Sequence, residues 1–319
     1  MARRRARGGR GVRRVEHRTH RYDAPLSPAG GALMPSELHP SAAARAMRAM
    51  RGLTNLRGWH RVAAAAAGSS GAFRVANDGL WLEGDLGSLI EREFYLYGGY
   101  EREQIDLFLS LVPRERRGTI LDIGANIGTH SLRFSQAFEH VLSFEPNPLV
   151  IDRLRRNVAL NDARNIAVHH VGLGDAPADL ELFAPVGTNQ GLGTFLTTDQ
   201  YDLPLERIGM SRIEAGDAYV GAHAPGRIDA IKCDVQGFEV QVFAGLQDII
   251  RRDRPIVWVE VGGGAHTVAD EIAALIALLP APARYFRMST ESTGLVSHAT
   301  LVEADAADIV GGDWVIVPR

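Results

Sequence analysis

The chain has almost no cysteine and almost no lysine. Cys233 stands alone among 319 residues, which excludes an internal disulfide and a cysteine-rich metal site. It agrees with a reducing compartment, and a cytoplasmic location is expected. Lys232 is the one lysine; the other 34 basic residues are arginine. No apolar run approaches the ~20 residues needed to cross a bilayer, and the alanine run Ala63–Ala67 is far shorter. No His, Cys and carboxylate cluster has metal-ligand spacing, so no metal is expected. No repeat is present. What remains is ordinary: 45% hydrophobic and 23% charged residues fit a globular chain able to bury a substantial core.

Charge is unevenly spread. The whole chain carries −3, yet residues 1–22 hold nine arginines against Glu16 alone, so the remainder carries −11. An acidic body is a poor nucleic-acid platform. Residues 1–40, rich in Arg, Gly, Pro and Ser without periodicity, are expected to form a disordered arginine-rich tail. Residues 41–112 read as an N-terminal extension. A hairpin there joins Phe73–Ala76 to Leu80–Glu83 through Asn77-Asp78-Gly79, and a helix runs over Arg102–Leu111. The aromatics of Ile90–Tyr97 serve either as a lid over a ligand or as core under a sheet edge.

Residues 113–319 read as the main domain. Its organising stretch is Gly118–Glu145: a strand at Ile120–Ile123, a turn Gly124-Ala-Asn-Ile-Gly128, a helix from Thr129, and a second strand at Val141–Phe144. Further strands are expected at Ile166–Val171, Leu180–Phe183, Ile228–Asp234, Ile256–Glu260, Ala283–Met288 and Trp314–Val317. Helices are expected from Pro146 to Asn161, Phe238 to Ile250 and Val268 to Leu279. Alternating strands and helices predict an α/β, Rossmann-like, doubly wound and mostly parallel seven-stranded sheet with a C-terminal antiparallel hairpin.

Ligands of such sheets sit at the carboxyl ends of the strands. Glu145 ends the second strand, where a carboxylate accepts both hydroxyls of a ribose. A dinucleotide fold would show G-x-G-x-x-G at the first turn, but the close glycine pair is missing. Asp122, two residues before Gly124, would repel a pyrophosphate and suits a ligand bearing an ammonium. S-adenosylmethionine carries an ammonium, a ribose and an adenine. Asp122 would serve its methionine moiety, Glu145 its ribose and Asp175 its adenine amino group, with Leu173 against the ring. Asn126 and Gly128 complete the turn around it.

Leu121-Asp-Ile-Gly-Ala-Asn-Ile-Gly128, Phe144-Glu-Pro-Asn147, Gly172-Leu-Gly-Asp175, Ile231-Lys-Cys-Asp-Val-Gln-Gly-Phe-Glu239 and Gly98-Gly-Tyr-Glu101 together resemble the FkbM family of methyltransferases. The resemblance covers about residues 80–318. It implies a class I, S-adenosylmethionine-dependent fold, a cofactor contact at Glu101, and methylation of a hydroxyl on a sugar or natural product. Gln236 stands where the family pattern usually has Glu, which leaves room for a hydrogen-bonding role and not a charged one.

Methyl transfer is an in-line displacement, and an alcohol needs a positioned base. Asp234, at the carboxyl end of its strand, is the first candidate. Lys232 points to the same side and either pairs with Asp234 or acts as base if burial lowers its pKa. Glu239 opens the next helix and either orients Asp234 or favours the helix dipole. Glu260, ending the following strand, is a further candidate. Three rival functions exist, one of them a catalytically silent binding module that kept the cofactor pocket. An RNA methyltransferase would use the arginine tail, but Asp234-Val-Gln-Gly237 lacks the Asn/Asp-Pro-Pro-aromatic turn of base methylation. An NAD(P)-dependent oxidoreductase would bind that cofactor instead.

Overall fold

The computed structural model describes residues 40–53, 56, 58–68, 71–186, 191–196, 204–262, 269–293 and 296–319. The arginine-rich tail expected over residues 1–40 therefore lies, but for Pro40, outside the described residues.

The N-terminal layer contains α1 (Ala42–Ala49), α2 (Trp59–Ala67), the hairpin β1 (Ala72–Asn77) and β2 (Leu80–Asp85), α3 (Leu89–Tyr97) and α4 (Arg102–Leu111). Ser41 caps α1, its hydroxyl accepting from Ala44 N at 3.0 Å. The hairpin turns where expected, with Asp78 and Gly79 both left-handed at φ 49° and 80°, the backbone of a two-residue primed turn. The aromatic stretch is α3, which buries Phe94 and Tyr95.

The central sheet is built from β3 (Thr119–Ile123), α5 (Thr129–Ser135), β4 (His140–Phe144), α6 (Ile151–Leu160) and β5 (Ile166–His169), after which β6 (Gly172–Gly174), β7 (Ala178–Pro185) and β8 (Leu205–Ala215) form a separate small sheet. The chain returns through α7 (Gly216–His223) to β9 (Ala230–Cys233), α8 (Glu239–Gly245), α9 (Gln247–Asp253), β10 (Ile256–Val261), α10 (Ala269–Leu278), β11 (Ala283–Thr293), β12 (Val296–Ala304) and β13 (Gly312–Pro318). The strand order is β12-β11-β13-β10-β9-β3-β4-β5. The run β10-β9-β3-β4-β5 is parallel, and β13, β11 and β12 add antiparallel pairs. The order reverses between β3 and β9, the switch point at which an open α/β sheet leaves a crevice.

Strand alternation divides the core. Ile120, Ile256 and Trp258 face one cluster, shared with Phe73, Leu82, Phe94 and Phe108 of the N-terminal layer. Leu121, Ile231 and Val257 face the other, against Phe243 and Ile249. The N-terminal layer thus covers one face of the sheet and α7–α10 contribute to covering the other.

Several expectations are corrected. The main sheet has eight strands among the described residues, not seven. β12 was not anticipated, and it lies between β11 and β13 in sequence while β11 pairs with both. The helix expected over Phe238–Ile250 breaks at Leu246. There the Asp217 carboxylate accepts from Asp248 N (2.8 Å) and Ile249 N (3.0 Å), restarting the helix. The helix after Glu145 begins at Ile151, because the Asn147 side chain accepts from Leu149 N in a tight turn. β8 and α7 also went unread; β8 exposes much of one face, which dilutes its apolar signal.

Candidate active site

The crevice at the carboxyl ends of β3, β4, β9 and β10 holds a cavity of about 230 Å³. Its floor is the turn after β3. Gly124 is left-handed (φ 82°), and a Cβ added there would sit 1.8 Å from Asp234 O; only glycine lets the two strand ends meet. Gly124 N and Ala125 N donate to Phe144 O at 3.0 Å each, and Asp234 N donates to Ile123 O at 3.0 Å, so β3, β4 and β9 are fastened to one another at the crevice.

On the β4 side, Glu145 is buried and accepts one backbone N–H on each oxygen: Asn126 N at 2.7 Å and Asn147 N at 2.8 Å. Each oxygen keeps a lone pair for a further donor. Burial pushes this carboxyl up to about 7 against those two N–H groups. Asn126 is itself left-handed, at φ 51°, which turns its N–H toward Glu145. Leu173, Leu182, Phe195, Phe238 and Val242 form an apolar wall alongside.

On the β9 side, Lys232 is buried with Nζ 3.2 Å from Asp234 Oδ2 and 4.0 Å from Asp122 Oδ1. Burial alone would lower its pKa, but the two carboxylates, Asp234 first, hold it above the ordinary lysine value. Lys232 is therefore held as a cation between two carboxylates. Gln236, left-handed at φ 54°, donates from Nε2 to Asp234 Oδ1 (2.9 Å) and to Glu260 Oε2 (2.8 Å). Burial would raise Asp234, but Lys232 overcomes it and holds the group down to about 2. Burial, then the charge of Asp234, drives Glu260 up to about 10. The Gln236 amide holds the two carboxyls side by side.

Three further groups close the wall. Asp313, at the start of β13, lies directly opposite Glu260 in register and accepts from Trp258 Nε1 at 2.8 Å. Burial, then Glu101, raises it to about 6. Glu101 is left-handed (φ 49°), and its Oε2 lies 3.0 Å from the buried His130 Nε2. Tyr100 packs edge-on to His130 with ring centroids 5.9 Å apart; burial first, then the surrounding carboxylates, keep its phenol protonated.

The match of this chain to known proteins decides what the crevice belongs to. The profile described as "Methyltransferase FkbM domain" matches residues 122–288, more than half of the chain. The protein is a member of the FkbM methyltransferase family. The FkbM chain is 28% identical over 163 residues to the hexuronic acid methyltransferase AglP of Haloferax volcanii, covering 51% of this chain and 63% of that one. It is also 28% identical over 166 residues to Methyltransferase 1 of Beauveria bassiana, covering 45% and 64%. It thus spans under two thirds of the length of these curated relatives. Among solved structures it is similar to a methyltransferase FkbM from Methylobacillus flagellatus, at 16% identity and TM-score 0.38 over 70% of this chain and 52% of that one. An O-methyltransferase from Bacillus cereus in complex with SAH is similar at 12% identity and TM-score 0.39 over 68% and 81%.

The methyl donor of this FkbM chain is S-adenosylmethionine, and the residues present fit it. Glu145 has spare acceptor capacity for two ribose hydroxyls, an apolar wall stands beside it for a flat ring, and carboxylates crowd the side where positive charge would lie. Gly124, Asn126, Glu145, Glu101, Lys232 and Asp234 are brought together around the cavity.

Four of the expected site residues do not reach its wall. Asp122 is wholly buried beneath the floor, with Oδ2 accepting from Ser131 Oγ. Its other oxygen, Oδ1, lies 4.0 Å from Lys232 Nζ. Gly128 is turned against Leu154. Asp175 is solvent-exposed past the end of β6, because β6 leaves the main sheet and carries that strand end away. Glu239 faces a second cavity under α10. Its Oε1 accepts from Gly237 N at 3.0 Å, and burial raises it to about 7.

Sequence reasoning missed Asp313. Its only signal was the antiparallel direction of the last strand, which puts that strand's first residues at the edge where the parallel strands end. Among the described residues, no group of three or more His, Cys, Asp or Glu is arranged to hold a metal, and no helix is long and apolar enough to cross a membrane.

Proposed function

We propose that the protein methylates a hydroxyl oxygen on a sugar or natural-product-like small molecule. The observation that carries this is the row of carboxyl groups, Asp234, Glu260 and Asp313, along the cavity wall beyond the cofactor turn. An ionised carboxylate there, as Asp234 is, takes a hydrogen bond, and then a proton, from an alcohol. The hexuronic acid methyltransferase among the relatives supports a sugar-like acceptor.

When bound, S-adenosylmethionine supplies an electrophilic methyl group on a sulfonium. Glu145 would accept hydrogen bonds from the ribose hydroxyls, and Glu101 would face the positively charged methionine end. Asp234 accepts the hydrogen bond of the attacking hydroxyl and orients its lone pair for in-line displacement. As the oxygen–carbon bond forms, that hydroxyl becomes a strongly acidic oxonium. Even a carboxylate held at about 2 then receives the proton, so transfer to Asp234 comes late, and the carbon–sulfur pair leaves with sulfur. Lys232 keeps Asp234 ionised and aimed, and Gln236 fixes its second oxygen.

The test is labelled methyl transfer to a metabolite pool, with the product identified by mass. A methyl ether on a hydroxylated small molecule is expected. Asp234→Asn should lower turnover by about 10²–10⁴-fold while cofactor affinity changes little. Unchanged turnover would exclude Asp234 as the base, and label found in RNA would exclude the acceptor class.

A further inference from the structure

The charge of the cavity narrows the acceptor further. Carboxyl groups of Asp234, Glu260 and Asp313 stand along the wall beyond the cofactor turn, Glu101 also lines the cavity, and Lys232 is the single Lys or Arg in the described wall. Of the chain's 34 arginines, none lines the cavity among the described residues. Segments 187–190, 197–203 and 263–268, outside the described residues, contain neither arginine nor lysine. Lys232 already faces Asp234 at 3.2 Å and Asp122 at 4.0 Å, so its charge is balanced before an acceptor arrives.

We propose that the acceptor carries a protonated amine beside the methylated hydroxyl, as in an amino sugar or amino alcohol, and that Asp313 and Glu260 bind that amine. This rests on the methyltransferase assignment above. S-adenosylmethionine brings one net positive charge, its sulfonium and ammonium set against its carboxylate. Against the four acids and one lysine, that leaves negative charge uncompensated even with Glu260 protonated. Position argues likewise. Glu260 and Asp313 lie on β10 and β13, three and four strands from the Glu145 strand, about 14 and 19 Å along the sheet edge at ~4.8 Å per strand.

Glu260 and Asp313 are direct cross-strand partners, and like charges in that position repel. Either a proton or a bound cation relieves them; burial is the first cause that raises both groups, to about 10 and about 6. A second observation lies in the same wall: His130 Nε2 is buried and makes no hydrogen bond, although Glu101 Oε2 is 3.0 Å away. A uronate or phosphate placed there would face carboxylates and, among the described residues, no free cation.

The test uses the full chain saturated with S-adenosylhomocysteine and titrates glucosamine, glucose and glucuronate near neutral pH, followed by calorimetry. Glucosamine is expected to bind at least about tenfold tighter than glucose, with glucuronate weakest and the preference shrinking at high salt. Asp313→Asn, and the pair Glu260→Gln with Asp313→Asn, should narrow the glucosamine preference to about twofold while S-adenosylhomocysteine affinity holds. Glucuronate binding as tightly as glucosamine overturns the proposal. So does glucosamine no better than glucose, or no binding by any of the three, since the acids would then serve the cofactor alone. Failure of S-adenosylhomocysteine itself to bind would instead overturn the methyltransferase assignment.

Discussion

At the scale of single residues, backbone geometry sets the site before any side chain acts. Glu101, Asn126 and Gln236 are all left-handed, a conformation that non-glycine residues avoid unless their surroundings enforce it. Each lies in the cavity wall, and each aims a polar group at it. Gly124 is the tightest point, since its backbone touches that of Asp234. Gly124→Ala is expected to cost about 3 kcal/mol or more by denaturant unfolding, through a backbone clash and a strained φ, and to remove cofactor binding with it. A variant of near-native stability and affinity would show that β3 and β9 need not meet at that point. The strand, glycine turn and acid of this stretch were legible because they follow each other within 28 residues. Asp122 was legible as a carboxylate but not as a buried one: its spacing from Gly124 matches that of a ligand contact, and only the neighbouring Lys232 and Ser131 reveal that it lies beneath the floor.

At the scale of elements, the N-terminal hairpin is tied to the cofactor turn by α6. Asn157 Oδ1 accepts from Glu83 N at 2.9 Å, and its Nδ2 donates to Ile127 O at 3.0 Å. One turn on, Asn161 pairs with both backbone groups of Trp81. Two asparagines thus stand in for a strand along the open edge of β2. Asn157→Ala strands a buried N–H and a buried carbonyl and should cost about 2–4 kcal/mol in urea unfolding; Asn161→Ala, at an exposed position, should cost less than about 1 kcal/mol. Equal costs would contradict the bridging role. Elements with local signals were read nearly to the residue: the hairpin through Asp78-Gly79, α4 through Ile105 and Phe108, and β3 and β4 through apolar runs. Those without them were not. β12 and β8 are half exposed, and the break at Leu246 depends on Asp217, some 30 positions earlier. Asp313 joins the site through sheet register, which sequence spacing does not carry.

At the scale of the whole molecule, buried acids tie stability to pH. Glu145 and Glu239 are raised from 4.5 to about 7 and Glu260 to about 10. The folded chain therefore binds these protons more tightly than the unfolded chain. The stability they contribute is complete below about 4.5 and is lost as pH rises through each folded value. Asp234, lowered to about 2, acts oppositely, its contribution present above 3.8 and lost only toward strong acid. His169, lowered from 6.5 to about 4, contributes stability that is complete above 6.5. Between about pH 6.5 and 9 only the raised acids change, so the melting temperature of the ligand-free protein should fall across that window; a rise would contradict the buried-acid account. The acidity of the site follows from the same arrangement, with five carboxyl groups gathered by the edges of β4, β9, β10, β13 and the loop before α4. The whole rests on Glu145 holding the ribose at the end of β4. Calorimetric titration of S-adenosylhomocysteine into the wild type and Glu145→Ala tests it most directly. Saturable one-to-one binding to the wild type, weakened by about a hundredfold or more in the variant, is expected; no binding to the wild type, or equal affinity in both, would contradict it.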